Sequence, residues 1–315
     1  MAAKPPCQLG CLKQAASKEE IEKAVSEIRV ICLIISLMYI DRKQSMTSSI
    51  FELYGKIWGE IDHELEFDVR QSLNPRNPNL LFELFGNLGI TPNATVLEVG
   101  CRYGLYAIEL ARRYNCHVIA VDPIPLHIEE TERHISNVGL GQQVKVKLGR
   151  IETLPLDDTS IDYVWCRDML FHVDLPKGFA ECFRVLHPGG TMLIYHTFTT
   201  PLCERKEANR LCKALSFVLE NMSEKYFERT AQNVGFEIII KDRIDSEWCE
   251  ASIEVGNKRL LEYLLYVTRM RRAKKRLVQK YGKNHYEANY ASCLLEIYPM
   301  LGKLCPAIYL LKKPL

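Results

Sequence analysis

An α/β protein with a mostly parallel central sheet is the fold class that this sequence predicts. Short apolar strands alternate with segments of helical periodicity along most of the 315-residue chain, which is the order of βαβ units. Residues 95–104, T-V-L-E-V-G-C-R-Y-G, show the pattern most clearly, because a buried strand runs into a glycine-bearing turn and then into a helix. A second strand, residues 117–122, ends in the carboxylate of Asp122. In an open sheet of this kind, ligands bind at the carboxyl ends of the strands.

Seven strands are predicted, and the segments between them are predicted to be helices on both faces of the sheet. The helical patterns at 128–138 and 178–186 fit right-handed crossovers between parallel strands. Before the first strand, a capping box at 17–20 opens a helix, and residues 80–88 form the helix that leads into the sheet. The predicted strands are 96–99, 118–121, 144–148, 161–166, 191–196, 236–240 and 307–311.

The chain divides into three kinds of region. Residues 1–80 are predicted to be helical, with about the first 20 disordered. Two further segments, 201–222 and 245–306, carry helical periodicity and are longer than ordinary connections, which is typical of functional lids. We expect them to form a helical cap, inserted late in the chain, that encloses a substrate. The sheet and its own helices take the remaining segments, 81–200, 223–244 and 307–315.

Composition and cysteine usage indicate a cytoplasmic protein without a metal. The charges of the 41 basic and 39 acidic residues nearly cancel, so the chain as a whole is not expected to attract nucleic acid. The twelve cysteines lack the dense spacing of a secreted disulfide scaffold, and we expect them to be reduced. Cys7 and Cys11 are the only close pair, and Gln14 stands where an iron–sulfur motif would need a third cysteine.

Two segments have open roles. The apolar run 30–40 is too short to span a bilayer, so stable membrane insertion is not expected. A buried helix, or one that contacts a second subunit in a homodimer, is favoured over a membrane-surface anchor. The basic cluster 269–276 has six charges in eight residues. It is read as a solvated helix face rather than a nucleic-acid patch, because aromatic residues are not interleaved with the charges; it could also draw in an anionic small substrate.

The first turn and the second strand together point to a nucleoside ligand. Asp122 follows Glu98 by 24 positions and is placed to accept both hydroxyls of a ribose. Nicotinamide dinucleotides need G-x-G-x-x-G, whereas Gly100 and Gly104 are separated by three residues with Arg102 among them. The acidic opening at Glu98 suits a ligand with a positively charged amino-acid end better than one with phosphates.

These residues resemble the class I S-adenosylmethionine-dependent methyltransferases, whose first motif reads E-x-G-x-G-x-G and whose second strand ends in such an acid. Residues 149–156, G-R-I-E-T-L-P-L, resemble the family segment G-D-A-E-x-L-P-F with Arg150 in place of the acid, and 188–190 resemble its P-G-G turn. The resemblance implies a Rossmann-like sheet with S-adenosyl-L-methionine as cofactor. The cofactor-binding residues that it implies are Glu98, Gly100, Gly104, Asp122, Ile151, Glu152 and Cys166. Tyr54, in the helical region before the sheet, is a further candidate, or forms a core stripe with Trp58.

The fourth strand ends C-R-D-M-L-F-H-V at residues 166–173, the segment that passes the transferring methyl group in the family. Asp168 and His172 are therefore candidates to face the acceptor, and a histidine near neutral pKa suits removal of a proton. A buried structural role for His172 is the alternative. His196, which closes the fifth strand, is a second candidate base.

The resemblance implies a methyltransferase that acts on a small or medium-sized metabolite, with O-methylation favoured. C- or N-methylation of an isoprenoid or other natural product is the alternative. Residues 166–169 read C-R-D-M, so the [DNS]-P-P-[FYW] motif of DNA amine methyltransferases does not stand after the fourth strand. An RNA methyltransferase and a non-catalytic S-adenosylmethionine-binding scaffold stay open, the latter because Arg102 and Arg150 depart from the family pattern.

Overall fold

Seven strands form one sheet in residues 68–315, the part of the chain that the computed structural model describes. Their order across the sheet is β3-β2-β1-β4-β5-β7-β6. β1 pairs in parallel with β2 and β4, whereas β7 is antiparallel to both β5 and β6. The strands are β1 Thr95–Val99, β2 His117–Asp122, β3 Val144–Leu148, β4 Ile161–Arg167, β5 Leu186–Thr199, β6 Glu237–Arg243 and β7 Leu304–Lys312. The predicted seven-stranded, mostly parallel sheet is confirmed.

Helices cover both faces of this sheet, as a parallel sheet with buried strands requires. One apolar core lies against α4 and α6 and contains Phe179 and Phe227. The other lies against α1 and α2 and contains Phe85 and Trp165. The helices before β6 are α1 Asn79–Gly86, α2 Leu105–Tyr114, α3 Pro125–Asn137, α4 Leu175–Val185, α5 Arg205–Leu215 and α6 Glu224–Val234.

Four more helices lie between β6 and β7, where the sequence predicts a late helical insertion. They are α7 Glu247–Glu254, α8 Arg259–Arg272, α9 Lys274–Tyr281 and α10 Lys283–Ile297. A third apolar cluster contains Leu211 of α5 and Ala291 of α10, together with Met222 and Tyr298. The helical insertion is therefore confirmed as a structural feature, and its role as a substrate cap stays a prediction.

Several expectations fall on residues 1–67 and lie outside the described residues: the helices before the sheet, the apolar run 30–40 and Tyr54. Residues 72–315 form one compact unit. Within 68–315, no helix is long and apolar enough to cross a bilayer. Homodimer formation and a cytoplasmic location stay predictions.

Candidate functional site

The turn after β1 is built on glycines that could not carry side chains. Gly100 and Gly104 have φ angles of +73° and +70°, in the left-handed region that favours glycine. A Cβ on Gly104 would lie 2.4 Å from Cγ2 of Thr131, and one on Gly100 would lie 2.8 Å from Cβ of Met169. The turn is also fixed to β2, because the Gly100 N–H donates to the carbonyl of Val121 at 2.8 Å. This close packing holds the turn in one shape.

Asp122 lies beside this turn at the tip of β2, and its side chain is only 6% exposed. Its Oδ2 accepts from the Arg102 N–H at 2.9 Å. Its Oδ1 accepts from the Ile124 N–H at 3.0 Å and lies 2.9 Å from Nδ1 of His127. A carboxylate has about four lone-pair sites, so these three contacts orient it and leave capacity for a ligand hydroxyl. His127 was not predicted, although its place five residues after Asp122, in the first turn of α3, was a usable signal.

A cavity of about 470 Å³ opens at these strand tips, within the size range of small-molecule sites. It brings together six of the predicted site residues: Gly100, Asp122, Ile151, Glu152, Asp168 and His172. Its other lining residues are Val99, Arg102, Val121, Pro123, Ile124, His127, Gly149, Arg150, Met169 and Val173. We refer to it as the strand-tip cleft.

Glu98 does not line the strand-tip cleft and is buried, with 2% of its surface exposed. Burial raises the pKa of this carboxyl to about 8, against the opposing effect of a hydrogen bond from the Ala107 N–H. Its Oε2 has no hydrogen-bond partner among residues 68–315. A buried polar atom without a partner is costly, and a nearby cationic group would relieve that cost. Gly104 likewise shapes the turn without lining the cleft.

The segment after β3 contributes Ile151 and Glu152 to the cleft wall. Glu152 is 11% exposed, and its Oε1 accepts from the Asp174 N–H at 3.1 Å. The same oxygen lies 3.3 Å from a guanidinium nitrogen of Arg150, which is 67% exposed. The arginine that replaces the family's acid therefore pairs with the neighbouring glutamate.

Asp168 stands at the opposite side of the cleft, directly after β4. Its φ angle is +53°, and its N–H donates to the carbonyl of Tyr195 at 3.1 Å. Its carboxylate lies 3.4 Å from Nε of Arg167. Partial burial raises the pKa of Asp168 above its ordinary value, while Arg167 opposes the rise. A positive φ on a residue other than glycine costs free energy, so surrounding contacts hold this carboxylate in place.

Arg167 fills a box of aromatic rings that sequence reasoning did not predict. Its guanidinium carbon lies 4.9 Å from the ring centre of Tyr106, 5.2 Å from that of Tyr195 and 5.5 Å from that of Trp248. Tyr195 and Trp248 are stacked with their ring centres 4.5 Å apart. Cations favour the faces of such rings. The box therefore orients Arg167 beside Asp168.

The two candidate histidines occupy different environments. His172 lines the cleft from a short 3₁₀ turn, and its Nδ1 lies 3.1 Å from the carbonyl oxygen of Ser216. His196 is fully buried and does not line the cleft. Burial lowers the pKa of His196 to about 4, and its Nε2 lies 2.9 Å from the carbonyl oxygen of Asn221. Cys166 is also buried and away from the cleft lining. Of the two histidines, His172 alone can reach a ligand in the cleft.

Comparison with known proteins matches residues 97–194 to the family described as "Methyltransferase domain". A sterol 24-C-methyltransferase of Eremothecium gossypii is 27% identical over 218 residues, 66% of this chain and 58% of that protein. A glycine/sarcosine/dimethylglycine N-methyltransferase of Actinopolyspora halophila is 26% identical over 193 residues, 58% of this chain and 34% of that protein. The chain thus spans about a third to three fifths of the length of these relatives.

A solved structure has a similar fold. Geranyl diphosphate C-methyltransferase from Streptomyces coelicolor A3(2), in complex with Mg²⁺, geranyl diphosphate and S-adenosyl-L-homocysteine, superposes with a TM-score of 0.56 at 14% identity. The superposition covers 74% of this chain and 76% of that one. At this identity the similarity shows the fold alone.

Proposed function

We propose that this chain, whose residues 97–194 form a class I S-adenosylmethionine-dependent methyltransferase domain, transfers the methyl group of S-adenosylmethionine to a small organic acceptor. The observation that carries the proposal is the oriented carboxylate of Asp122 at the floor of the strand-tip cleft. The family match and the order of the sheet support it.

The residues of the cleft fit this cofactor. Asp122 would accept hydrogen bonds from the ribose hydroxyls, and the backbone at Gly100 would admit close approach. Glu98 lies behind the cleft lining, and its carboxyl, whose Oε2 is unpartnered among residues 68–315, would ionise on binding and compensate the positive charge of the cofactor's amino-acid end. Ile151 and Glu152 would flank the adenine. When bound, S-adenosylmethionine supplies a methyl group that its sulfonium already activates.

A carbon acceptor is favoured over the oxygen acceptor that the sequence suggested. By their names, the relatives described above methylate carbon or nitrogen. His172 in the cleft lining supports carbon over a tertiary amine, because a tertiary amine has no proton to give to such a base. An alkene carbon loses a proton after methylation and leaves a neutral product.

Two side chains of the cleft would act on the acceptor. His172 lines the cleft with its Nδ1 near the Ser216 carbonyl, so its Nε2 would accept the proton that the acceptor loses. Asp168 would orient the acceptor and offset developing positive charge. The remaining requirement is alignment of donor and acceptor, which the fixed turn and cleft walls provide.

Calorimetric titration with S-adenosylhomocysteine tests the cofactor site. Asp122→Ala is expected to weaken binding by about 1–3 kcal/mol, the range for hydrogen bonds to a charged group. Asp157→Ala, which removes an exposed carboxylate outside the cleft lining, is the matched control and should bind normally. If the unaltered chain does not bind S-adenosylhomocysteine, a non-catalytic scaffold without this cofactor replaces the proposal.

Measurements of turnover test the residue assigned to the acceptor, His172. We expect His172→Ala to slow transfer of labelled methyl to an alkene metabolite pool by about 10²-fold or more, the range for loss of a general base. Its affinity for S-adenosylhomocysteine should stay unchanged, because His172 is assigned to the acceptor. Undiminished transfer would remove His172 from the mechanism, and methylation of RNA instead of metabolites would replace the acceptor class.

A further inference from the structure

The helices between β6 and β7 concentrate positive charge that the methyl-transfer site does not use. Residues 259–281 contain eight lysines and arginines and one acidic residue, Glu262, in a chain whose formal net charge is only +2. Such a local excess of one sign attracts anions. The question is whether the charges are spread over the surface or are directed at one place.

Three of the arginines share one cavity. It has a volume of about 480 Å³ and lies between α8, α9 and α10. Arg269, Arg272 and Arg276 line it together with Asn289, and no carboxylate belongs to its lining. Its other lining residues are Tyr266, Met270, Ala273, Leu277 and Cys293. It shares no residue with the strand-tip cleft.

These three guanidinium groups have no counter-charge within the described part of the chain. Residues 68–315 place no carboxylate within 4.0 Å of any of them. Lys274, in the same segment, does have one, since its Nζ lies 3.3 Å from Oε1 of Glu287. Arg269 and Arg272 stand three residues apart on α8, where like charges repel each other, and Arg276 on α9 lines the same cavity. A bound anion would compensate that repulsion.

The cavity continues into an apolar and aromatic space. A neighbouring cavity of about 230 Å³ shares Met270, Leu277 and Asn289 with it. Its remaining lining residues are Tyr281, His285 and Tyr286. The two together form what we call the arginine groove, with a basic mouth and an apolar extension. A ligand that fills both parts has an anionic head and an apolar body.

We propose that the arginine groove binds an anionic amphiphile whose head is a phosphate or diphosphate. The planar guanidinium fork pairs with two phosphate oxygens at once, which makes arginine the preferred partner of such a head. The methylenes and rings of the extension accept the apolar body. A phospholipid head group and a soluble phosphate ester share this chemistry. The site stands independently of the methyl-transfer reaction.

Charge-matched double variants test whether anions bind at a defined site or are attracted by the positive charge of the whole segment. Arg272→Gln with Arg276→Gln removes two charges that line the groove, and Arg271→Gln with Lys275→Gln removes two exposed charges of the same spacing that do not. The probes are inorganic pyrophosphate and dodecyl phosphate below its micelle concentration, titrated into the full chain by calorimetry. We expect the first pair to lose about tenfold or more in affinity and the second less than about twofold. Dodecyl phosphate should bind more tightly than pyrophosphate.

Three outcomes would overturn the proposal. Equal losses in the two double variants would show diffuse electrostatic attraction. No binding of either probe would remove the site. Retention of RNA that both double variants weaken equally, and that salt weakens steeply, would assign the segment to polyanions. Both variants must keep the free energy of unfolding of the unaltered chain, measured by urea denaturation, so that misfolding cannot imitate a loss.

Vesicles then distinguish the two sources of the head group. Sedimentation with vesicles of phosphatidylglycerol and phosphatidylcholine in equal parts, but not of phosphatidylcholine alone, would assign the groove to a lipid head group. Binding of dodecyl phosphate without vesicle retention would assign it to a soluble ester. Either result supports the proposal of an anionic amphiphile, provided that the Arg272→Gln, Arg276→Gln variant loses the binding.

Discussion

The strand-tip cleft and the arginine groove have nearly equal main cavities, about 470 and 480 Å³, but they are built in different ways. In the cleft, a buried carboxylate has its hydrogen bonds, and glycines with positive φ fix the wall. In the groove, exposed arginines stand on consecutive helical turns without counter-charges among residues 68–315. The comparison teaches that a preorganised backbone marks one site and uncompensated charge marks the other.

The largest expected effect comes from disrupting the preorganised turn after β1. Gly104→Val would place a β-branched side chain at a φ of +70°, with its Cβ 2.4 Å from Thr131. Strain and overpacking together should lower the free energy of unfolding by about 2–6 kcal/mol and abolish S-adenosylhomocysteine binding. Urea denaturation and calorimetry measure the two effects.

Gly256→Val is the matched control for that substitution. Gly256 follows α7 with a φ of +81°, and a Cβ there meets no atom within 4 Å. It should lose only the conformational part, about 1–3 kcal/mol, and keep its cofactor affinity. Similar losses at the two glycines would contradict the contrast between a fixed cleft and a tolerant insertion.

The second effect is a change of about 2–4 kcal/mol in the free energy of unfolding with pH, and it comes from the buried carboxyl of Glu98. Because burial raises the pKa of Glu98 to about 8, the folded chain binds a proton that the unfolded chain releases near pH 4.5. The native state therefore becomes less stable as the pH rises from about 5 to 8. Glu98→Gln should remove this loss, so its free energy of unfolding exceeds that of the unaltered chain most at pH 8. A pH series of urea titrations measures it, and parallel curves would mean that the carboxyl is already ionised at pH 5.

The smallest expected effect is the loss of stability on substitution of His196, and it tests whether this residue belongs to the core rather than to the cleft. His196 packs against the rings of Phe171 and Phe227, with centroid distances of 4.3 and 5.7 Å. His196→Ala should lower stability by about 2–3 kcal/mol through lost packing and one lost hydrogen bond. Affinity for S-adenosylhomocysteine should not change. A variant with unaltered stability but no turnover would return His196 to the catalytic candidates.

The sheet was predictable because its signals are local. All seven strands were predicted, and β5 differs most, since it begins at Leu186 rather than 191 through a pairing of Leu186 with Ile161 across an irregularity in register. The residues that precede each turn were harder to assign. Cys166 lies within β4 and belongs to the core, whereas Asp168 follows the strand with a φ of +53° and lines the cleft. A position near a strand tip does not tell which way its side chain points.

Contacts across long stretches of chain were not predictable. The box around Arg167 needs Trp248, which lies 81 positions away in α7. The arginine groove was visible only as a run of charges, because its second wall is α10. Sequence reasoning recognised the basic cluster but could not separate the residues that line a cavity from their exposed neighbours.

The connection of the late helices to the sheet has a consequence for how such proteins diversify. β6 and β7 are neighbours, and Arg243 pairs with Ala307 at the two points where the insertion leaves and returns. Neighbouring strands are about 4.8 Å apart, so a short hairpin could join these points as easily as four helices do. The sheet does not need the four helices in order to close, so we expect that another segment could be grafted between the same two strands without changing the pairing of β6 with β7.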